Sequence, residues 1–74
     1  MWQKKDNQLV KKFDFTDFKS ALEFVNKVGQ LAEEAQHHPD IELGWGKVVV
    51  HLSTHSAGGV TDKDEKLAER IDEL

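Results

Sequence analysis

Two adjacent histidines, His37 and His38, precede Pro39, and a third, His55, follows a strand-like run further along the chain. Imidazole is the one side chain whose unperturbed pKa, about 6.5, lets it give or take a proton near neutral pH. Three of the four histidines therefore form a candidate set for general acid–base chemistry. The plainer alternative is a helix end carrying solvated histidines, and residue types alone do not separate the two. Metal binding is the rival chemistry for clustered imidazoles. His51 and His55, if both stay on one strand, lie roughly 13 Å apart at ~3.3 Å per residue, too far to share an ion. His37 and His38 diverge around the bend that Pro39 imposes. Zinc favours about four ligands at roughly 2.0–2.3 Å, and the chain has no cysteine to supply a thiolate. The spacing thus points to proton transfer without a metal.

The elements that must position these imidazoles can be read in order. Trp2 to Phe15 predicts a β-hairpin with Asp6-Asn7 at its turn, because short polar side chains tolerate positive φ. Leu9, Phe13 and Phe15 share one face, interrupted by Lys11, and Val10, Lys12 and Asp14 share the other. Thr16 is a candidate N-cap for a helix from Asp17 to about His37, where Pro39 stops it by excluding His38 from the α region. Its apolar stripe is Phe18, Ala21, Leu22, Val25, Val28, Ala32 and Ala35, widened by Phe24 and Leu31. Gly29 costs about 1 kcal/mol in a helix interior, and a close approach to a sheet would be a reason to keep it. His37 then sits on the last turn, where the helix dipole favours a cationic imidazole.

A second hairpin follows, with Ile41, Leu43 and Trp45 alternating before a Gly46-Lys47 turn and a strand from Val48 to Thr54. Val48, Val50 and Leu52 share one face, and Val49, His51, Ser53 and His55 the other. Ser56 to Gly59 reads as a loop. Thr61 with Asp64 resembles a capping box opening a last helix, whose stripe is Leu67, Ala68, Ile71 and Leu74. The expected class is α+β: a four-stranded antiparallel sheet with helices on one face, ordered β-β-α-β-β-α.

The 74 residues make a single domain spanning 1–74, with a modest core. Without cysteine, no disulfide or thiolate zinc site can brace it. No apolar run approaches the roughly 20 residues of a membrane span, and the start lacks the apolar core of a signal peptide. The default expectation is a soluble, cytoplasmic protein. A net charge of −4 without a basic stripe argues against direct nucleic-acid binding.

Taken together, Glu33, His37-His38-Pro39, Trp45, His55 and Asp64, in this order and spacing, are similar to the signature of the pterin-4a-carbinolamine dehydratases. Phe13-Asp14-Phe15 with Asp17-Phe18, Ala21 to Val28, Ser53-Thr54-His55 and Gly58-Gly59-Val60-Thr61 resemble further family segments. The likeness runs from Trp2 onward. Family members usually carry another helix before the tryptophan that Trp2 matches, so the resemblance implies that this leading helix is absent here. It also implies a reaction: dehydration of a 4a-hydroxytetrahydropterin to a quinonoid dihydropterin, with no metal or redox cofactor. By matching positions, His37, His38 and His55 line the pterin pocket, with His38 as base and the other two as proton donors or ring-binding groups. Some proteins resembling this one also serve as dimerisation cofactors of a homeodomain transcription factor, so a non-catalytic binding module is the alternative.

The supporting residues each have two readings. Glu33, four residues before His37, either orients that imidazole or is an ordinary exposed carboxylate. Asp64 matches the terminal aspartate of the signature, yet a helix-capping role alone explains it and is the favoured reading. Trp45 either flanks the pocket or packs. A homodimer or homotetramer is expected, because Phe24 and Leu31 lie off the main stripe and the Val48-to-Leu52 strand reads as an edge that needs cover. The family's usual dimers and dimers of dimers point the same way.

Overall fold

A computed structural model describes all residues 1–74. Asp6 and Asn7 both adopt positive φ, 52° and 63°, as a two-residue primed turn requires. They join β1 (Gln3–Lys5) to β2 (Gln8–Asp14). After the first helix, β3 (Asp40–Gly44) and β4 (Lys47–Leu52) form the second hairpin. Its turn is Trp45-Gly46, one residue earlier than the expected Gly46-Lys47, because Lys47 already pairs with Gly44 and Asp14. The strand order is β1-β2-β4-β3, with every pair antiparallel. The four-stranded α+β architecture is as expected, but the edge is not. β4 is flanked by β2 and β3, so Val48, Val50 and Leu52 are fully buried. The true edges are β1, with Lys4 and Lys5 exposed, and β3, with Asp40 and Glu42 exposed. Charged edges of this kind discourage unwanted strand pairing.

The first helix, α1, spans Phe18–Ala35. Its N-cap is Asp17, not Thr16. The Phe15 N–H bonds to the Gly46 carbonyl at 2.7 Å and keeps the chain on the sheet through Phe15. The helix then starts later, and the Asp17 carboxylate accepts the Ser20 N–H at 2.8 Å. That backbone bond, with the Ser20 side chain, holds the Asp17 carboxyl below the usual carboxylate range. The helix ends earlier than expected. Gln36 turns left-handed at φ 51°, its N–H reaching back to Glu33 while the His37 N–H bonds the Ala32 carbonyl. This pair of bonds is a Schellman ending, and it leaves His37 just outside the helix.

Ala21, Val28 and Ala32 carry the buried face of α1. Phe24 lies 4.6 Å from Phe13 and 5.1 Å from Phe15 between ring centroids, and Leu31 also packs on the core. The surplus apolar surface falls instead on Phe18 and Leu22, 44% and 40% exposed. Nothing lies within 4 Å of a Cβ built at Gly29, so no close approach to the sheet explains that glycine.

The second helix, α2, spans Asp62–Asp72 with Thr61 as N-cap, and buries Leu67, Ala68 and Ile71. Leu74 falls beyond its last turn and is exposed. Lys11, which breaks the apolar alternation of β2, pairs with Val50 on the buried face. Its Nζ leans 4.9 Å over the Phe13 ring and donates to Asp72 at 2.8 Å, where the Trp2 indole also donates. The aliphatic stem packs while the charge reaches the rim.

Gly46 and Gly58 test how tightly the hairpin is tied to β2. Both hold φ near +70°, but a Cβ at Gly46 would stand 3.0 Å from the Phe15 carbonyl, whereas one at Gly58 meets nothing. Each alanine substitution should cost about 1–2 kcal/mol from the left-handed backbone, and Gly46→Ala should cost more. Thermal melts followed by circular dichroism check this; a melting temperature for Gly46→Ala equal to that of Gly58→Ala overturns it.

Candidate active site

The Schellman ending fixes the His37 backbone at the end of α1, and its nearly buried side chain points to α2. There His37 Nε2 lies 2.5 Å from Asp64 Oδ1. Asp64 is fully buried. Its other oxygen, Oδ2, accepts the Thr61 N–H at 2.9 Å and the Thr54 hydroxyl at 2.7 Å. Since the Thr54 proton goes to the carboxylate, the 2.8 Å contact between the two threonine hydroxyls is donated by Thr61. An ionised carboxylate only accepts, so His37 carries its proton on Nε2. Its Nδ1 has no partner within the chain and is not among buried unpartnered atoms, so it faces solvent.

Asp64 therefore caps α2 and braces an imidazole, uniting the two readings that its sequence position allowed. Glu33 does not serve His37. It pairs with His38, whose ring reaches back over the helix end, and both side chains are more than half exposed. His55 opens a one-turn 3-10 helix, His55–Ala57, rather than extending β4. It lines a polar cavity of about 240 Å³ with Asn7, Gln8, Ser53 and Thr54. His37 lines a different one, of about 270 Å³, between α1 and α2. No single cavity of the chain is lined by all three histidines. The two cavities meet chemically through Thr54, which walls one and bonds the carboxylate behind the other.

Pro39 directly precedes β3 and is half-buried beside the histidines in sequence. Trp45 is at the far end of that strand, roughly 17 Å along it at ~3.4 Å per residue. It is 75% exposed, so it does not pack in the core of the chain. His51 lies on the open sheet face, 2.6 Å from Glu42 and 3.1 Å from Gln8.

Thr54 is the residue that sequence reasoning passed over. Its signal was present: it continues the inward series Val48, Val50, Leu52, and a hydroxyl at a core position needs a buried partner. A bridge to Gly59, with the Thr54 N–H on the Gly59 carbonyl at 2.8 Å, turns the chain there.

Burial alone would raise the Asp64 carboxyl. The bonds from His37, the Thr61 N–H and the Thr54 hydroxyl, with the charge of His37, outweigh it and hold the pKa below the ordinary 3.8. A depressed folded-state pKa means stability that is present above the unfolded value and lost as pH falls through the folded one. Asp64→Asn should remove about 1–3 kcal/mol at neutral pH, since an amide cannot accept all three donors. It should also flatten the loss of stability below pH 3.8. Urea unfolding at pH 7 and pH 3 measures both; an equal acid-induced loss in wild type and variant overturns the assignment.

A family model described as pterin 4 alpha carbinolamine dehydratase matches residues 1–74. A protein of Picosynechococcus sp., provisionally named a pterin-4-alpha-carbinolamine dehydratase, is 51% identical over 73 residues, 99% of this chain and 79% of that one. A protein of Sulfurisphaera tokodaii with the same provisional name is also 51% identical over 73 residues, 99% of this chain and 78% of its own length. Among solved structures, one described as a transcriptional coactivator/pterin dehydratase from Brucella melitensis superposes with a TM-score of 0.90 at 37% identity. It covers 96% of this chain and 78% of that one. A pterin dehydratase-like protein identified as a RuBisCO assembly factor in the alpha-carboxysome superposes with a TM-score of 0.78 at 26% identity, covering 97% and 83%. With a family match over its whole length and about half of its residues shared with relatives of that name, the chain belongs to the pterin-4-alpha-carbinolamine dehydratase family.

Proposed function

We propose that this chain dehydrates a 4a-hydroxytetrahydropterin to the quinonoid dihydropterin. The C4a–O bond breaks with its electron pair leaving on oxygen, N5 loses its proton, and the two combine as water. The observation that carries this reading is the His37–Asp64 pair. A fully buried carboxylate holds one ring nitrogen while the other stays open for proton transfer. In this reading His37 acts as the imidazolium, its Nε2–H held by Asp64 and its Nδ1–H passing to the leaving hydroxide, while His38 takes the N5 proton and His55 contacts the ring from the Thr54 side. No helix is long and apolar enough to cross a membrane, which suits a cytoplasmic enzyme acting on a small diffusible substrate. A non-catalytic role has two observations in its favour, the likenesses to a transcriptional coactivator/pterin dehydratase at TM-score 0.90 and to an assembly factor at TM-score 0.78; the turnover assay decides between them.

His38→Ala should lower turnover by about 10²-fold or more, the usual worth of a positioned acid or base. Its melting temperature should barely move, because His38 is more than half exposed and its side chain bonds only the exposed Glu33. Absorbance following a freshly generated 4a-hydroxypterin measures this, and activity within twofold of wild type removes His38 from the mechanism.

We further propose that the chain works as a homo-oligomer. Below about 70–80 residues one core rarely supplies more than ~3–5 kcal/mol. Phe18 and Leu22 stand exposed one turn apart on α1, and β3 leaves one side unpaired. A two-fold contact would cover such features. Light scattering after size exclusion across a dilution series should give a dimer or tetramer mass. A monomer mass throughout, with a melting temperature independent of concentration, overturns it.

A further inference from the structure

Lys63, Lys66 and Arg70 recur along α2 at intervals of three and four, so they form one stripe, with Leu67 beside them. Facing that stripe are Ala35 from the end of α1 and the His37 ring. These six residues line the cavity of about 270 Å³. No carboxylate lines it. Glu34 reaches in from α1 to bond Arg70 at 2.8 Å, while Lys63 and Lys66 have no carboxylate within ion-pair distance. Three cations less Glu34, which bonds Arg70, and Asp64, which bonds His37, leave a local charge of +1, in a chain whose net charge is −4.

We propose that this cavity binds a phosphate monoester group, held by Lys63, Lys66 and Arg70 above the apolar floor of Ala35 and Leu67. An oxyanion is drawn to this local excess of positive charge, and Lys63 and Lys66 are free of carboxylate partners to meet it. The planar guanidinium can take two of its oxygens, and the lysines act as point charges. The apolar floor accommodates a few carbon atoms of the esterified group. The uncharged pterin of the proposed reaction offers these cations acceptors but no opposite charge, so the charge of the site answers to a different chemical group. That group is either a substituent on the substrate or a separate phosphorylated molecule. The inference does not depend on turnover, because binding is read on its own.

The test is a two-dimensional amide NMR titration of the whole chain with inorganic phosphate, against chloride at matched ionic strength. Saturable shifts are expected at Lys63, Lys66, Arg70 and His37. Lys63→Gln with Lys66→Gln should weaken binding at least about tenfold, the worth of one charge-assisted bond. Glu34→Gln, which frees Arg70, should tighten it by about two- to fivefold. A pterin bearing a phosphate monoester, compared with the same pterin lacking it, separates the two sources. Binding of the phosphorylated pterin tighter than both the unphosphorylated pterin and phosphate alone assigns the group to the substrate, and binding no tighter than phosphate alone assigns it to a separate ligand. Shifts that never saturate, that chloride reproduces, or that both the lysine pair variant and Glu34→Gln leave unchanged overturn the proposal.

Discussion

The structure turns on one buried carboxylate. Removing an ionised carboxylate from water costs several kcal/mol unless it is paired and fully hydrogen-bonded. Asp64 meets that condition with three donors drawn from three places: the α2 cap at Thr61, Thr54 two residues past β4, and His37 two residues past α1. Each is distant from at least one of the others along the chain. Their convergence docks α2 against the ends of both α1 and β4. The interaction that secures the fold also selects the tautomer of a candidate catalytic imidazole, so stability and chemistry are not separable at this position.

The end of α1 explains how two neighbouring histidines come to different surroundings. Gln36 takes the left-handed conformation, and the His37 N–H is spent on the Ala32 carbonyl. His37 is then directed inward to a buried partner, while His38, before Pro39, folds back to the exposed Glu33. One imidazole is rigid and shielded; the other is solvated and paired across a screened contact worth little to stability. For a reaction that needs one proton delivered and one removed, an asymmetric pair is better suited than two equivalent rings.

Lys11 and Thr54 show polar groups used inside an otherwise apolar layer. Both occupy inward positions of the sheet, and each finds a carboxylate on α2, Asp72 and Asp64 respectively. The helix is thus held to the sheet at both ends by charge-assisted bonds, with Leu67, Ala68 and Ile71 packed between them.

Much of this was legible in the chain itself. Period-two alternation in Val48, Val50 and Leu52, the Asp6-Asn7 turn, the 3–4 spacing after Asp17 and the Thr61–Asp64 cap are local patterns. Local backbone and burial preferences suffice to set them. The order of elements and the clustering of histidines before a proline were readable for the same reason. What could not be read is where segments far apart in sequence meet. Strand order put β4 in the sheet's interior rather than at its edge, because the chain returning from α1 pairs β3 on the outer side of β4. The bond from Phe15 to Gly46 delayed the start of α1 and made Asp17 the cap. The rotation of α1 on the sheet, set by packing against Phe13 and Phe15, half-buried Phe24 and exposed Phe18 and Leu22. Helical spacing offers His37 as a partner of Glu33 only if the helix continues, and the left-handed Gln36 ends it, so that Glu33 meets His38 instead. The pairing of His37 with Asp64 and the cavity between α1 and α2 required two helices to dock. Docking depends on non-local contacts, which no window of sequence contains.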